Sequence, residues 1–582
     1  MSEVLSVASG SAARAHGHRA RARRDRQALR SGVAGGRGIA LAAWACMRAL
    51  NDLRLAASML LVAVNALACS GGASEDRTES SSSTLSVRPI GTIGLPPIVV
   101  GPSQPPSPPP PPVLYIGDEH GTATVLADAD LWFSTYFPGT DDEEADGVAS
   151  GFTDLGTPDY WRIGRRGAAL VQMYDLVAPL DATRAAVYLE RLRRIASALL
   201  DKRDDHRTIG PDAGVPSLSA TGQPIDGFRH QVMPAWGAIT ANRDGKWNND
   251  VVTSGLFVHA MAAFARRVAE NPTLQSRVGG TGFGAYSFAG PRGTKAAHTM
   301  LPAVTGGLVT YADDAIRFTT AALETYRAFR PEVHLREDDP EAWFRMPLAY
   351  GTLACVTDNG CVVYRDTAGA PAAYNENLSM IKALAEVALA SDSALYRGSR
   401  ATNDALLELG RFEVPLLVAK NVRFFVDNLQ PRTLWDGTPY FRWNHQKPTA
   451  RIQDTAHASF ELGSLAAVLE NKPSLDALLA RNGRSEQVPI GAPELQRLAN
   501  TLLRLVVKDG SDYGYRYLLD VRIDGAKDYD ALNNANGDCA GWTPLAQVSP
   551  AAWRLCRDAM YEASRFIRED NTAALLRYRQ FL

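Results

Sequence analysis

Across residues 113 to 582 apolar side chains recur every three or four positions, and this spacing dictates most of what the chain can become. Leu189, Leu192, Ile195 and Leu199 make one stripe, and Phe257, Met261, Phe264 and Val268 another. Leu378, Ile381, Leu384 and Ala388 follow, then Val418, Val422, Phe425 and Leu429, then Leu495, Leu498, Leu502 and Leu505. Ser549 before Pro550 starts a further helix carrying Trp553, Cys556 and Met560. Alternating strand patterns are scarce, the best being short ones near residues 113–117 and 361–364. These patterns predict a mostly α domain of about ten or more helices joined by aromatic-rich and Gly-rich loops. No fixed-period repeat is visible, which argues against a regular solenoid. Many helix pairs in one long domain can instead close into a ring, with their inner ends placing loops around one cleft.

The region before residue 113 has a different character. Residues 1–46 hold eight arginines and no lysine, are rich in Ala and Gly, and show no apolar period, so they read as a disordered leader. Met47 is the better candidate for the start of translation, the leader then being untranslated or else an unusually long n-region of the signal. From Met47, Arg48 and Arg54 precede an apolar run over residues 55–68, too short to span a bilayer but suited to a signal-peptide core. The run ends Ala66-Leu67-Ala68-Cys69-Ser70, which resembles a bacterial lipobox. In that motif the cysteine becomes the lipidated first residue, so residues 47–69 are expected to be a lipoprotein signal with Cys69 as lipid site. Ala66 stands where the motif usually has Leu. Residues 70–112 read as a disordered Ser/Pro-rich tether ending in a proline run over residues 105–112. The expected location is outside the cytoplasm, held to a bacterial membrane by lipid.

Beyond Cys46 and Cys69, four cysteines remain for the exported part. In an oxidising compartment nearest-neighbour pairing would join Cys355 to Cys361 and Cys539 to Cys556, with other pairings open. With 46% apolar residues, 21% charged and a net charge of -2, the chain can build a large core, and nothing in its balance points to nucleic acid.

Three loop regions carry side chains that packing alone does not require. The richest spans residues 440–457, with Tyr440, Arg442, Trp443, Asn444, His445, Asp454 and His457. Asp454 or Thr455 can cap a helix there, placing His457 in its first turn and Glu461 one turn further on. The positive end of a helix disfavours a protonated imidazole, which suits His457 to accepting a proton. The second region holds Phe228, Arg229, His230, Gln231 and Trp236, then Trp247, Asn248, Asn249 and Asp250. The third is Tyr374, Asn375, Glu376 and Asn377. Amides, aromatics, Arg and His near helix starts suit sugars, whose hydroxyls take planar hydrogen bonds while their rings stack on Trp and Tyr. The plainer readings are helix caps for Asn375, Asn377 and Asp250, core aromatics for Trp247, Trp443 and Tyr374, and a structural role for His230. Asp313 and Asp314, in a helix over about residues 308–329, read as solvated. His445, Asp454 and His457 match no compact zinc signature, so neither a metal nor another cofactor is expected. The glycines over residues 279–284 lack the context of a phosphate loop.

Together, Tyr374-Asn375-Glu376-Asn377 before one helix and Gln453-Asp454-Thr455-Ala456-His457 before another resemble the secreted (α/α)-toroid carbohydrate enzymes, the toroidal polysaccharide lyases and six-hairpin glycosidases. The resemblance implies a toroid of helical hairpins over residues 113–582 and β-elimination on a uronate-containing polysaccharide. It makes Asn375, Asn249 and Arg442 neutralisers of the uronate carboxylate, His457 or His445 the base, and Tyr440 or Tyr374 the acid. Trp247, Tyr374, Trp443, Asp454 and His230 would bind substrate. The Asn-Asn-His-x-Tyr-Trp pattern of some alginate-type lyases is absent, because Trp247-Asn248-Asn249-Asp250 keeps the amides without the histidine. A glycosidase with paired carboxylates, Asp454 with Glu376 or Asp250, and a non-catalytic glycan-binding lipoprotein are the alternatives.

Overall fold

The computed structural model describes residues 115–139, 141–152, 156, 160–210, 214–239, 245–278, 309–347, 369–399, 404–447, 452–509, 517–519, 523, 539–562 and 568–582. The leader, signal, Cys69, tether, Cys355 and Cys361 lie outside the described residues. The described residues belong to one compact unit that runs from Ser107 to Leu582.

Helices of ten or more residues dominate. They are α1 (Thr122–Tyr136), α2 (Asp141–Ser150), α3 (Tyr160–Val177), α4 (Ala182–Asp201), α5 (Val251–Glu270), α6 (Tyr311–Phe329), α7 (Tyr374–Asp392), α8 (Val414–Asp427), α9 (Thr455–Arg481), α10 (Ala492–Thr501), α11 (Pro550–Glu562) and α12 (Glu569–Tyr578), with a 3₁₀ helix over Ala540–Gln547. The stripes explain why they stay folded. Phe257, Met261, Phe264 and Val268 are fully buried along α5, as are Leu378, Ile381, Leu384 and Ala388 along α7. Side-chain caps set several starts: Asp250 accepts from Thr253 N for α5, and Thr310 and Asp313 form a reciprocal capping box for α6.

α3 packs on α5, α5 on α7, α7 on α9, α9 on the 3₁₀ helix, that helix on α12, and α12 back on α3. A second set lies against this circuit: α4 on α3 and α5, α6 on α5, α8 on α7, and α11 on the 3₁₀ helix. Close approach within the circuit needs small residues. A methyl group on Gly255 of α5 would sit 2.6 Å from the Ser379 carbonyl carbon of α7, and one on Gly541 would overlap the Ser459 carbonyl oxygen of α9.

The described strands form four two-stranded antiparallel sheets, which the sequence pattern does not predict. They are β1 (Gly237–Ile239) with β2 (Trp247–Asn249), β3 (Val333–Leu335) with β4 (Ala342–Phe344), β5 (Gln430–Thr433) with β6 (Pro439–Arg442), and β7 (Val507–Asp509) with β8 (Tyr517–Leu519). Strands of three or four residues are too short to show alternation. No strand forms at residues 115–117, and residues 361–364 are outside the described set. Asp314 corrects the expectation of a solvated pair: it is buried and ion-paired to Arg193 at 2.8 Å and Arg317 at 2.9 Å. Cys539 and Cys556 are disulfide-bonded, joining the start of the 3₁₀ helix to α11.

Candidate functional site

The start of α9 is built around one carboxylate. Asp454 is extended and caps the helix, its Oδ1 accepting the His457 amide at 2.9 Å. Its Oδ2 lies 2.6 Å from Nδ1 of the same residue's ring. Burial would raise the Asp454 carboxyl, but the His457 ring and amide, with the charge of His445, hold it down to about 2. With Nδ1 engaged, Nε2 is the ring nitrogen left for proton transfer, and the His457 side chain is 35% exposed. His445 stands edge-on to it, with ring centroids 4.9 Å apart.

Behind the histidines, Glu461 ties three segments together. Its carboxylate is fully buried and accepts from Trp443 Nε1 at 2.8 Å, from Gln453 Nε2, and from the backbone amide of Asn375. Burial pushes this carboxyl well above the usual range, and the three donors oppose that push. Gln453 passes the order on, since its Oε1 lies 3.0 Å from His445 Nδ1. The Asn375 amide belongs to the first turn of α7, so Glu461 also places a carboxyl group at that helix N-terminus. A second link joins the same segments, Tyr374 N donating to His445 O at 3.2 Å. Asn375 is 5% exposed, and its side-chain oxygen has no hydrogen-bond partner. The 374–377 and 440–457 regions therefore meet.

The remaining candidates are placed differently. Trp247, Trp443 and Tyr374 are buried, so none presents a ring face to a sugar. Trp247 Nε1 and Asn249 Nδ2 both donate to the buried Asp204 carboxylate at 2.7 Å, a structural network that takes Asn249 away from carboxylate neutralisation. Trp443 spends its indole N–H on Glu461, and Tyr374 packs against Phe424 and Phe425. His230 is exposed with φ 55° in a turn organised by Asp226, whose Oδ1 accepts from the Phe228 and Arg229 amides. Arg229 is ion-paired to Asp226 and Glu332. Tyr440 and Arg442 share one side of β6, opposite the buried Phe441, and the Arg442 Nε is buried without a partner. Among the described residues no hydrogen bond or ion pair joins either to the histidines.

Two aromatic residues at the start of α3, absent from the sequence reading, stand near the Asp250, Glu376 and Phe460 parts of these regions. Tyr160 opens α3, half-buried. Burial, then the charges of Asp250 and Glu376, keep its phenol protonated well past neutral pH. This shared field brings the Asp250 end of the 228–250 region near the other two. Trp161 packs edge-on against Phe460 of α9, with centroids 4.9 Å apart. The available signal was an aromatic residue at a helix start, as at Tyr374, here without the amides that accompany it there.

His445, Asp454 and His457 offer donor atoms that all lie within 4.8 Å of one another. Two imidazoles and a carboxylate are a donor set that zinc accepts, although a hydrogen bond already joins Asp454 to His457 Nδ1. No protein-family model, curated protein or solved structure gives a significant match to this chain.

Proposed function

We propose that the chain is an exported lipoprotein whose helical unit is an (α/α) toroid acting on a uronate-containing polysaccharide by metal-independent β-elimination. The observation that carries the chemistry is the 2.6 Å contact between Asp454 Oδ2 and His457 Nδ1 at a half-open helix start. A carboxylate on Nδ1 fixes the tautomer and supports the imidazolium formed when Nε2 takes a proton. The toroid reading is supported by the packing circuit from α3 round to α12 and back, with a second set of helices against it. The export reading is supported by the lipobox-like run before Cys69, the proline-rich tether and the Cys539–Cys556 disulfide.

In this reading His457 removes the uronate C5 proton while the charge that develops spreads into the substrate carboxylate. Asn375, whose backbone amide meets Glu461, is the amide whose side-chain NH₂ would donate to that carboxylate, while its unpartnered oxygen accepts from a sugar hydroxyl. The C4–O bond then breaks. Tyr160, kept protonated, takes over the donor role first assigned to Tyr440 or Tyr374. The product carries a C4–C5 double bond conjugated with the carboxylate, which absorbs in the ultraviolet.

A hydrolase reading draws on Asp250 and Glu376, the two carboxylates that act on Tyr160. Incubation with a panel of uronate polymers separates the two: elimination gives ultraviolet absorbance, hydrolysis gives new reducing ends without it. His457→Ala should abolish turnover and leave the circular dichroism spectrum unchanged. Full activity in that variant would remove His457 from the site and sink the elimination reading.

A further inference from the structure

A cavity of about 90 Å³ lies beside the start of α9, walled by residues from every member of the packing circuit. Ala456, Ser459 and Phe460 form its α9 side, so it begins one residue from His457. Its charged residues are Arg165 of α3, Lys382 of α7, Arg568, and Asp570 of α12. Three cations face one carboxylate. Asp570 is shared between two of them, at 3.2 Å from Arg568 Nε and 3.8 Å from Arg165 Nε. Lys382 is left over: it is 8% exposed, and its ammonium makes no hydrogen bond among the described residues.

Two further polar groups on the wall lack partners. Ser464 is 1% exposed with an unbonded hydroxyl, and the Gln172 side-chain oxygen is also buried and unbonded. An ammonium at a cavity wall, largely removed from water and without a protein acceptor, is costly, and so is a buried hydroxyl left unpaired. Both costs are relieved by one ligand that brings an anionic oxygen acceptor to Lys382 and Ser464. A carboxylate with neighbouring hydroxyls supplies that, and can pair with Gln172 as well.

We propose that this cavity is a binding pocket for the carboxylate end of a hydroxylated sugar acid, anchored by Lys382 and Ser464. The inference rests on the functional reading above for the source of the ligand, but its binding chemistry stands apart from catalysis. It places one acidic sugar of the chain against the Ala456, Ser459 and Phe460 side of α9, where Trp161 packs on Phe460.

The test is titration calorimetry of the full chain with monomeric glucuronate, galacturonate and mannuronate, alongside glucose and inorganic sulfate. At least one uronate should bind, with glucose at least about tenfold weaker, the ratio a charge-assisted hydrogen bond produces. Lys382→Met and Ser464→Ala should each weaken the uronate at least about fivefold with an unchanged circular dichroism spectrum. Met matches the length and burial of the lysine, and Ser464→Ala gives an independent arm if the first variant fails to fold. Unchanged affinity in a folded variant, equal binding of glucose, or binding of sulfate alone would overturn the pocket. His457→Ala should keep uronate affinity while losing turnover. Uronate binding that depends on Lys382 in a protein inert on every polymer would keep the pocket and remove the lyase reading.

Discussion

Asp454 holds His457 twice, through the backbone amide at 2.9 Å and through ring Nδ1 at 2.6 Å. One carboxylate therefore starts the helix and orients the imidazole. Asp454→Asn separates these tasks, because Asn caps a helix about as well as Asp but brings no charge and can present its NH₂ to the ring. Turnover should fall by about a hundredfold or more, while the melting temperature moves by only a degree or two. Parallel kinetic and calorimetric runs check it. Turnover left unchanged in Asp454→Asn would make Asp454 a cap and nothing more.

The same carboxyl gives a pH dependence. Its folded value of about 2 lies below the ordinary unfolded value of about 3.9. The unfolded chain then binds the extra proton, so the stability from this pair is complete above about pH 4 and is lost as pH falls toward 2. Acid unfolding of Asp454→Asn should lack that component, seen as a shallower fall in unfolding free energy over the interval.

The helical body was legible because its signal is local. Stripes such as Phe257-Met261-Phe264-Val268 need only their own periodicity to declare a buried face. Asp454 as cap was legible for the same reason. Whether a loop aromatic faces sugar or core was not, since it depends on partners distant in sequence: Asp204 for Trp247, Phe424 for Tyr374, Glu461 for Trp443. Lys382 and Glu386 did leave a trace, as charges one turn apart within an apolar helix. Their separate fates follow from tertiary partners, with Arg266 and Arg267 on Glu386 and the cavity beside Lys382.

Gly255 tests the packing circuit. A methyl group there would meet the α7 backbone at 2.6 Å from the Ser379 carbonyl carbon, with no flexible side chain to move aside. Gly255→Ala removes a helix-weakening residue, a change worth about 1 kcal/mol in favour of folding on an exposed helix. Here the clash should win, destabilising by about 1–3 kcal/mol net. Urea unfolding decides it, and a variant as stable as the parent would mean that α5 and α7 do not approach as described.

Lys382 carries a second pH signature of opposite origin. Burial holds its ammonium down to about 8, against the attraction of Glu386 and Asp570. Facing it are His259 of α5, Glu386 on its own helix and Asp570 of α12, with Arg266 and Arg267 neutralising Glu386. An unfolded lysine titrates at about 10.4, so between about pH 8 and 10.4 the unfolded chain binds more protons and stability rises with pH. Below about 8 the folded chain bears the full cost of the buried cation. Lys382→Met should be the more stable protein at neutral pH, and its advantage should shrink between pH 8 and 10. A constant difference across that range would mean the lysine is solvated.

The three donor atoms of His445, Asp454 and His457 make metal removal informative. If His457 is a base held by Asp454, its Nδ1 is already committed to a hydrogen bond, and turnover needs no ion. Dialysis against EDTA should then leave the rate within about twofold, and added zinc should slow it by occupying the nitrogen that takes the proton. His445→Ala should lower turnover only by loosening the edge-on contact with His457. Abolition by EDTA with recovery on zinc would reverse the assignment, making these residues ligands and the nucleophile a metal-bound water, chemistry in which an elimination product is not expected.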